Sequence, residues 1–140
     1  MGALVERRER RSAILRLQET MQDMPGQLDS KDLPVRHLFA PGVYAREITM
    51  PEGVVVIGKI HKHEHVNIIS MGRVRVATEF GVEEFTAPYS FVSKPGTKRV
   101  VYVLETTVWT TIHPTDETDL AKIEQEVIAE RHEDVPLLEV

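Results

Sequence analysis

The sequence predicts a mainly β fold: an antiparallel barrel or sandwich of short strands, with one amphipathic helix at each end. Three observations carry this reading. Residues 42–113 hold a succession of short runs rich in Val, Ile, Thr and aromatics, with little helical periodicity. Turn signals divide those runs at Pro51-Glu52-Gly53, Met71-Gly72, Gly81, Pro88 and Pro95-Gly96. Apolar residues at helical spacing stand on either side of that block. The 140 residues suit one domain. We divide them into an N-terminal helix and extended arm (1–40), a barrel (41–113), and a C-terminal helix and tail (114–140).

The first helix is expected over residues 3–24, where Ile14, Leu17, Met21 and Met24 recur at spacings of three, four and three. Five arginines (Arg7, Arg8, Arg10, Arg11, Arg16) lie on or before this stripe, and Pro25-Gly26 stops it. Such a helix docks on its own domain or on a neighbouring subunit. Glu6, Glu9 and Glu19 dilute its charge and make it less suited to membrane or nucleic acid. A linker follows, with Pro34 and Pro41 marking an extended path. Strands are expected near 43–50, 53–60, 61–71, 73–78, 82–86, 89–93, 97–104 and 106–113. In the strand 97–104, Val101 and Val103 share the Arg99 face, while Val100, Tyr102 and Leu104 take the other. Both faces are apolar, which predicts a second layer outside the barrel wall, from the helices or a partner subunit. Trp109 is expected in the core. The last helix, about 118–131, carries Leu120, Ile123, Val127 and Ile128 on one stripe, with Thr115, Asp116 and Thr118 as caps.

Composition narrows function. Hydrophobic residues at 41% and charged residues at 28% are ordinary globular values, so a disordered or collagen-like chain is excluded. With no cysteine, thiolate zinc sites and thiol catalysis are excluded, and any metal must sit on His, Asp or Glu. No apolar run approaches the roughly 18 residues of a membrane span, and the N-terminus lacks a signal-peptide core. A net charge of −5 argues against general nucleic-acid binding, which needs clustered Lys and Arg. The two ends are oppositely biased: residues 1–16 hold five Arg against two Glu, and residues 114–140 hold nine carboxylates against Lys122 and Arg131. Pairing between them would set specificity more than stability.

The richest stretch is Gly58-Lys59-Ile60-His61-Lys62-His63-Glu64-His65. On a strand, His61, His63 and His65 project to one side. Three imidazoles on one face can surround a divalent transition metal if the strand bends, and imidazole alone does not choose the metal. The same pattern also fits a polar barrel interior, with each His bonded to carbonyls, carboxylates or water, or an exposed strand.

His61-x-His63, then Gly72 ending a short hairpin, then Pro95-Gly96-Thr97-Lys98-Arg99 before another strand, resembles the cupin family over roughly 43–113. The resemblance implies a jelly-roll barrel and, in the usual family pattern, a metal held by two His, a Glu and a later His. Two positions depart from it. His65 stands where the pattern has its Glu, six intervening residues before Gly72, and Arg99 stands where it has the last His. Arg is cationic and cannot ligate a metal. Two forms remain open: a site of His61, His63 and His65 beside Arg99, or a barrel without metal chemistry. In the first, Arg99 binds a carboxylate or phosphate. The family then implies dioxygenase, isomerase, epimerase or lyase activity, with Tyr102, Glu105 or His113 as candidate acid or base. In the second, Arg99 pairs with Glu83, Glu84 or Glu105.

A narrower resemblance rests on Lys94-Pro95-Gly96-Thr97-Lys98-Arg99-Val100-Val101-Tyr102, on Thr107 to His113, and on Thr115 to Leu120. These stretches are similar to small cupin-like proteins of tailed bacteriophages and prophages. That implies a structural or interaction protein, virion-associated or in the bacterial host cytoplasm, forming a homo-oligomer and contacting other particle proteins. The alternative is a small metal-dependent cupin enzyme acting on a small anionic substrate.

Overall fold

A computed structural model describes residues 2–22, 33–58 and 60–129. Helix α1 runs Gly2–Gln22. Nine strands follow: β1 Val35–Ala40, β2 Val43–Met50, β3 Val55–Ile57, β4 Ile60–His61, β5 His65–Thr78, β6 Gly81–Thr86, β7 Tyr89–Ser93, β8 Val100–Pro114 and β9 Ile128–Ala129. Helix α2, Leu120–Val127, lies between β8 and β9. The mainly β class with a helix at each end is as the sequence predicts.

Two long strands organise the sheet. The C-terminal half of β8 pairs with β2 on one side and with Val66–Met71 of β5 on the other, and β1 and β7 extend this half outward. The N-terminal half of β8 pairs with β3 and with Arg73–Ala77 of β5, and β6 completes that half. Register shifts in the β5–β8 pairing fall between Ile69 and Val74, where the halves meet. One core fills the space between them: Ile48, Met50, Ile69 and Trp109 from the first half pack with Val56, Val74, Val76, Val101 and Val103 from the second. Each such side chain contributes about 1.5–3 kcal/mol on burial.

Gly72 is therefore not the end of a hairpin, and residues 61–71 and 73–78 are not separate strands. It sits inside β5 at φ +98, and a Cβ there would lie 2.3 Å from the Thr106 carbonyl oxygen. Only glycine allows the strand to cross β8 this closely. The break expected before residue 106 is likewise absent. Thr107, fully buried, donates its hydroxyl to the Glu105 carbonyl at 2.7 Å, so the backbone turns there without ending.

The expected linker contains a strand. Pro41-Gly42 makes a two-residue turn, with Gly42 at φ +77, and β1 folds back on β2 from Ala40↔Val43 to Val35↔Ile48. The expected strand 53–60 is divided into β3 and β4, the Gly58 N–H still donating to the Arg99 carbonyl on the β8 side at 2.9 Å.

Helix α2 is shorter than the expected 118–131. Asp119 caps it: its Oδ1 accepts the N–H groups of Ala121 (2.9 Å) and Lys122 (3.3 Å). The expected caps work elsewhere, Asp116 accepting the Gly42 N–H and Thr115 accepting the Glu117 N–H. After Val127 the chain extends as β9 against β4, pairing Ile60↔Ala129 and His61↔Ile128. The stop at Pro25-Gly26, Met24 and the tail beyond residue 129 lie outside the described residues. No described helix is long and apolar enough to cross a membrane.

Among its described side chains, helix α1 docks by charge as well as by its apolar stripe. Ile14 is buried, but Leu17 is exposed. Arg7 and Arg11 converge on Glu79 in the β5–β6 turn at 3.3 and 2.8 Å, and all three side chains are largely buried.

A cavity beneath helix α2

The interior of the barrel opens to a cavity of about 240 Å³, roofed by α2. Ile123 and Val127 reach down from the helix and pack on Tyr44 of β2. His61, Arg99, Trp109 and His113 line the opposite walls. The roof is tied to the histidine strand by the β4–β9 pairing and by Lys62, whose N–H donates to Val127 O (2.7 Å) and whose Nζ donates to Gln125 O (2.7 Å).

Three imidazoles meet at this wall, though not the three on the sequence motif. His61, His65 and His113 have ring centroids 4.2, 4.9 and 5.4 Å apart. The expectation of one strand face carrying His61, His63 and His65 is corrected: the chain bends at residues 62–63, β4 ends at His61, and His63 is exposed. His113 takes its place because β8 lies beside β5, pairing Ile112 with Val66. His63 contributes its backbone instead, its carbonyl lying 3.3 Å from His65 Nδ1. A carbonyl only accepts, so that nitrogen carries the ring proton. The other nitrogen, Nε2, is then a bare lone pair, buried and without a hydrogen-bond partner; His61 Nδ1 is also buried and unpartnered.

Burial pushes all three rings below the usual histidine value. His61 falls to about 2, chiefly by burial and then by His65 and His113. His65 falls to about 4 by burial and then by Arg99. His113 also falls to about 4, by burial and then by Arg46. The cluster is therefore neutral at neutral pH.

Arg99 is the buried charged group of the cavity, which Arg46 and the exposed Glu124 also line. It is 8% exposed, and burial lowers its pKa to about 10, which leaves it cationic. Its guanidinium lies 5.6 Å from the ring centroids of both Phe91 and Trp109. None of the carboxylates expected as partners reaches it. Glu84 pairs with Arg75 at 2.9 Å, Glu105 lies 3.8 Å from Arg73, and among the described residues Arg99 has no carboxylate partner. Its position is fixed from behind. Trp109 Nε1 donates to Asn67 Oδ1 at 3.0 Å, and Asn67 Nδ2 donates to Ser93 Oγ at 2.7 Å. Asn67 and Ser93 carry no motif. Their only signal is a polar residue on the inward face of an apolar strand, and it becomes visible once Asn67 is known to alternate with His65 and Ile69.

Tyr102 and Glu105 do not belong to this site. Tyr102 is 43% exposed between Val101 at 5% and Val103 at 0%, so it projects from the outer face of β8, and Glu105 is also exposed. The outer face of this strand is accordingly open at Tyr102, where burial on both sides was expected. His113 is the one acid–base candidate that lines the cavity. His37 lines it as well, 2.7 Å from the Tyr44 hydroxyl, and was not singled out in the sequence.

The described residues do not by themselves make a metal centre. The two orphaned imidazole nitrogens have suitable donor chemistry. However, the rings of His61 and His113 stack at 16°, no carboxylate among the described residues joins them, and a guanidinium is close by. Among the described residues no group of three or more His, Asp or Glu is arranged about one point as ligands would be.

Comparison with known proteins agrees with the fold. No family model and no curated protein matches the sequence. Among solved structures, a cupin 2 domain-containing protein from Halorhodospira halophila superposes with a TM-score of 0.52 at 16% identity, covering 73% of this chain and 81% of that one. A Neisseria meningitidis protein superposes with a TM-score of 0.50 at 9% identity, over 71% and 95% of the two chains. A cupin 2 conserved barrel protein from Salinispora arenicola has a TM-score of 0.48 at 17% identity, over 68% and 82%.

Proposed function

We propose that this chain is a binding barrel for a small organic anion, which lodges under α2 with its negative group on Arg99. The observation that carries the reading is the buried guanidinium without a carboxylate partner among the described residues. A cation held away from water costs several kcal/mol unless a counter-charge faces it. Here the space in front of it is a cavity, the neighbouring imidazoles are neutral, and Glu124, the carboxylate that also lines this cavity, does not pair with Arg99. An anion entering that space offsets the cost, while Ile123, Val127 and Tyr44 cover its apolar part. The ring nitrogens of His61 and His113 can orient it, beside the Tyr44 hydroxyl, which already contacts His37 Nδ1.

The test is calorimetric titration with hexanoate and its neutral analogue hexanamide, on wild type and Arg99→Gln. Hexanoate is expected to bind wild type at least tenfold more tightly than hexanamide, and that preference is expected to vanish in the variant. Without ligand, Arg99→Gln should melt at or above the wild-type temperature, since it removes an uncompensated charge. Equal binding of the two probes, or a loss of about 3–5 kcal/mol of stability as when a buried pair is broken, would overturn the reading.

A second property rests on a different observation. On the outer face, Leu38, Ala45, Ile112, Val66 and Val92 stand directly across from one another in register over β1, β2, β8, β5 and β7. Leu38, Val66 and Val92 are exposed. The solvent face of an antiparallel sheet is ordinarily polar. We propose that a second copy of the chain covers this row, since one apolar row meets itself across a two-fold axis.

A further inference from the structure

A second cavity, of about 380 Å³, lies on the far side of Arg99 from the first, between the β5–β6 turn and β7. Its walls are chemically distinct from the first. Phe85, Tyr89 and Phe91 pack as a trio with ring centroids 4.8 to 5.5 Å apart. Phe80 closes the group from the turn, with Lys94 Nζ 5.4 Å from its ring centroid. Phe80 and Tyr89 are each about two-fifths exposed although they face a concavity, so the protein leaves aromatic surface there unfilled. Two cations line this cavity, Lys94 at the rim and Arg99 at the base, while Arg7, paired with Glu79, lies 4.6 Å from the Phe80 ring centroid. Neither Lys94 nor Arg99 has a carboxylate partner among the described residues. One carboxylate, Glu83, also stands at the edge.

We propose that this second cavity binds a small aromatic carboxylate. The aryl ring would lie against Phe80 and Tyr89, and the carboxylate would meet Lys94, with Arg99 adding attraction from below. Aromatic walls alone would take any apolar ring. The two unpaired cations favour an anion over its neutral counterpart, and the flat ring pile favours an aryl group over an alkyl chain. Arg99 lines both cavities, but Phe80, Tyr89 and Lys94, which carry this site, do not line the cavity under α2.

The experiment titrates 2-naphthoate and 2-naphthylmethanol into the full chain and follows backbone amide shifts by NMR. Shifts are expected at residues 80–94, with naphthoate binding more tightly than the alcohol. Lys94→Gln, at an exposed side chain, should weaken naphthoate about fivefold and leave the alcohol unchanged. Tyr89→Ser should weaken both by about tenfold. Glu83→Gln should strengthen naphthoate by about twofold, because it removes a like charge at the rim. The proposal is overturned by no binding at millimolar naphthoate, by shifts confined to residues 113–127, or by Lys94→Gln and Tyr89→Ser variants that bind as wild type does while keeping the wild-type spectrum.

Discussion

His65 shows how much one backbone bend decides. Its Nδ1 donates to the carbonyl of His63, so a residue that looked like a third ligand serves as the acceptor that sets a neighbour's tautomer. The consequence is measurable in acid. His61, His65 and His113 titrate near 6.5 when unfolded and at about 2, 4 and 4 when folded. Between those values the unfolded chain binds protons that the native chain does not, so stability falls as pH drops below 6.5. Each ring adds a slope of about 1.4 kcal/mol per pH unit through that window. Urea unfolding between pH 7 and 4.5 should show this loss, and His113→Gln should remove one ring's share of the slope. An unchanged slope in the variant would mean that His113 is not buried as a neutral base. At this scale the presence of His and Arg was legible, but their grouping was not. The spacing of His61, His63 and His65 assumes one uninterrupted strand, and His113 lies far along the chain.

Elements differ from their sequence patterns where long-range contacts outweigh local signals. Gly72 and the segment around residue 105 both read as breaks, yet β5 and β8 run through them, because pairing along both halves of two long strands outweighs one irregular step. Helix α1 was legible as a helix, but not in how it docks. The buried Arg7–Glu79–Arg11 group couples it to the β5–β6 turn, with Arg7 also 4.6 Å from the Phe80 ring centroid. Arg7 and Glu79 are close enough to pair but are not aligned as a hydrogen bond, while Arg11 donates well to the other carboxylate oxygen at 2.8 Å. Glu79→Ala leaves two buried guanidinium groups facing each other and should cost about 3–5 kcal/mol of docking energy. Because α1 is rich in arginine, trypsin should then clip it rapidly while the barrel survives as a discrete fragment. Cleavage of α1 at the wild-type rate would show that the charge group does not hold the helix.

The whole molecule is a two-part sheet around one core, with a cavity at each side of Arg99 and an apolar row on its outer surface. If that row is an interface between copies, the mass measured by light scattering should exceed 15.9 kDa and rise with concentration. Val92→Glu should return the chain to a monomer. Since Val92 is 60% exposed, the melting temperature of that monomer should change little. A wild type that stays monomeric at high micromolar concentration, or a variant that still assembles, would reject the interface. What the sequence by itself determined is the β class, the helices at its ends, most turn positions and the absence of thiol chemistry. These follow from alternation, helical spacing, Gly and Pro, and composition, all of which act locally. Only the tertiary structure decided which imidazoles meet, that Arg99 lacks a carboxylate partner among the described residues, and that Tyr102 and Glu105 face outward. Those outcomes depend on register between strands distant in sequence, and a shift of one residue there would turn every side chain to the opposite face.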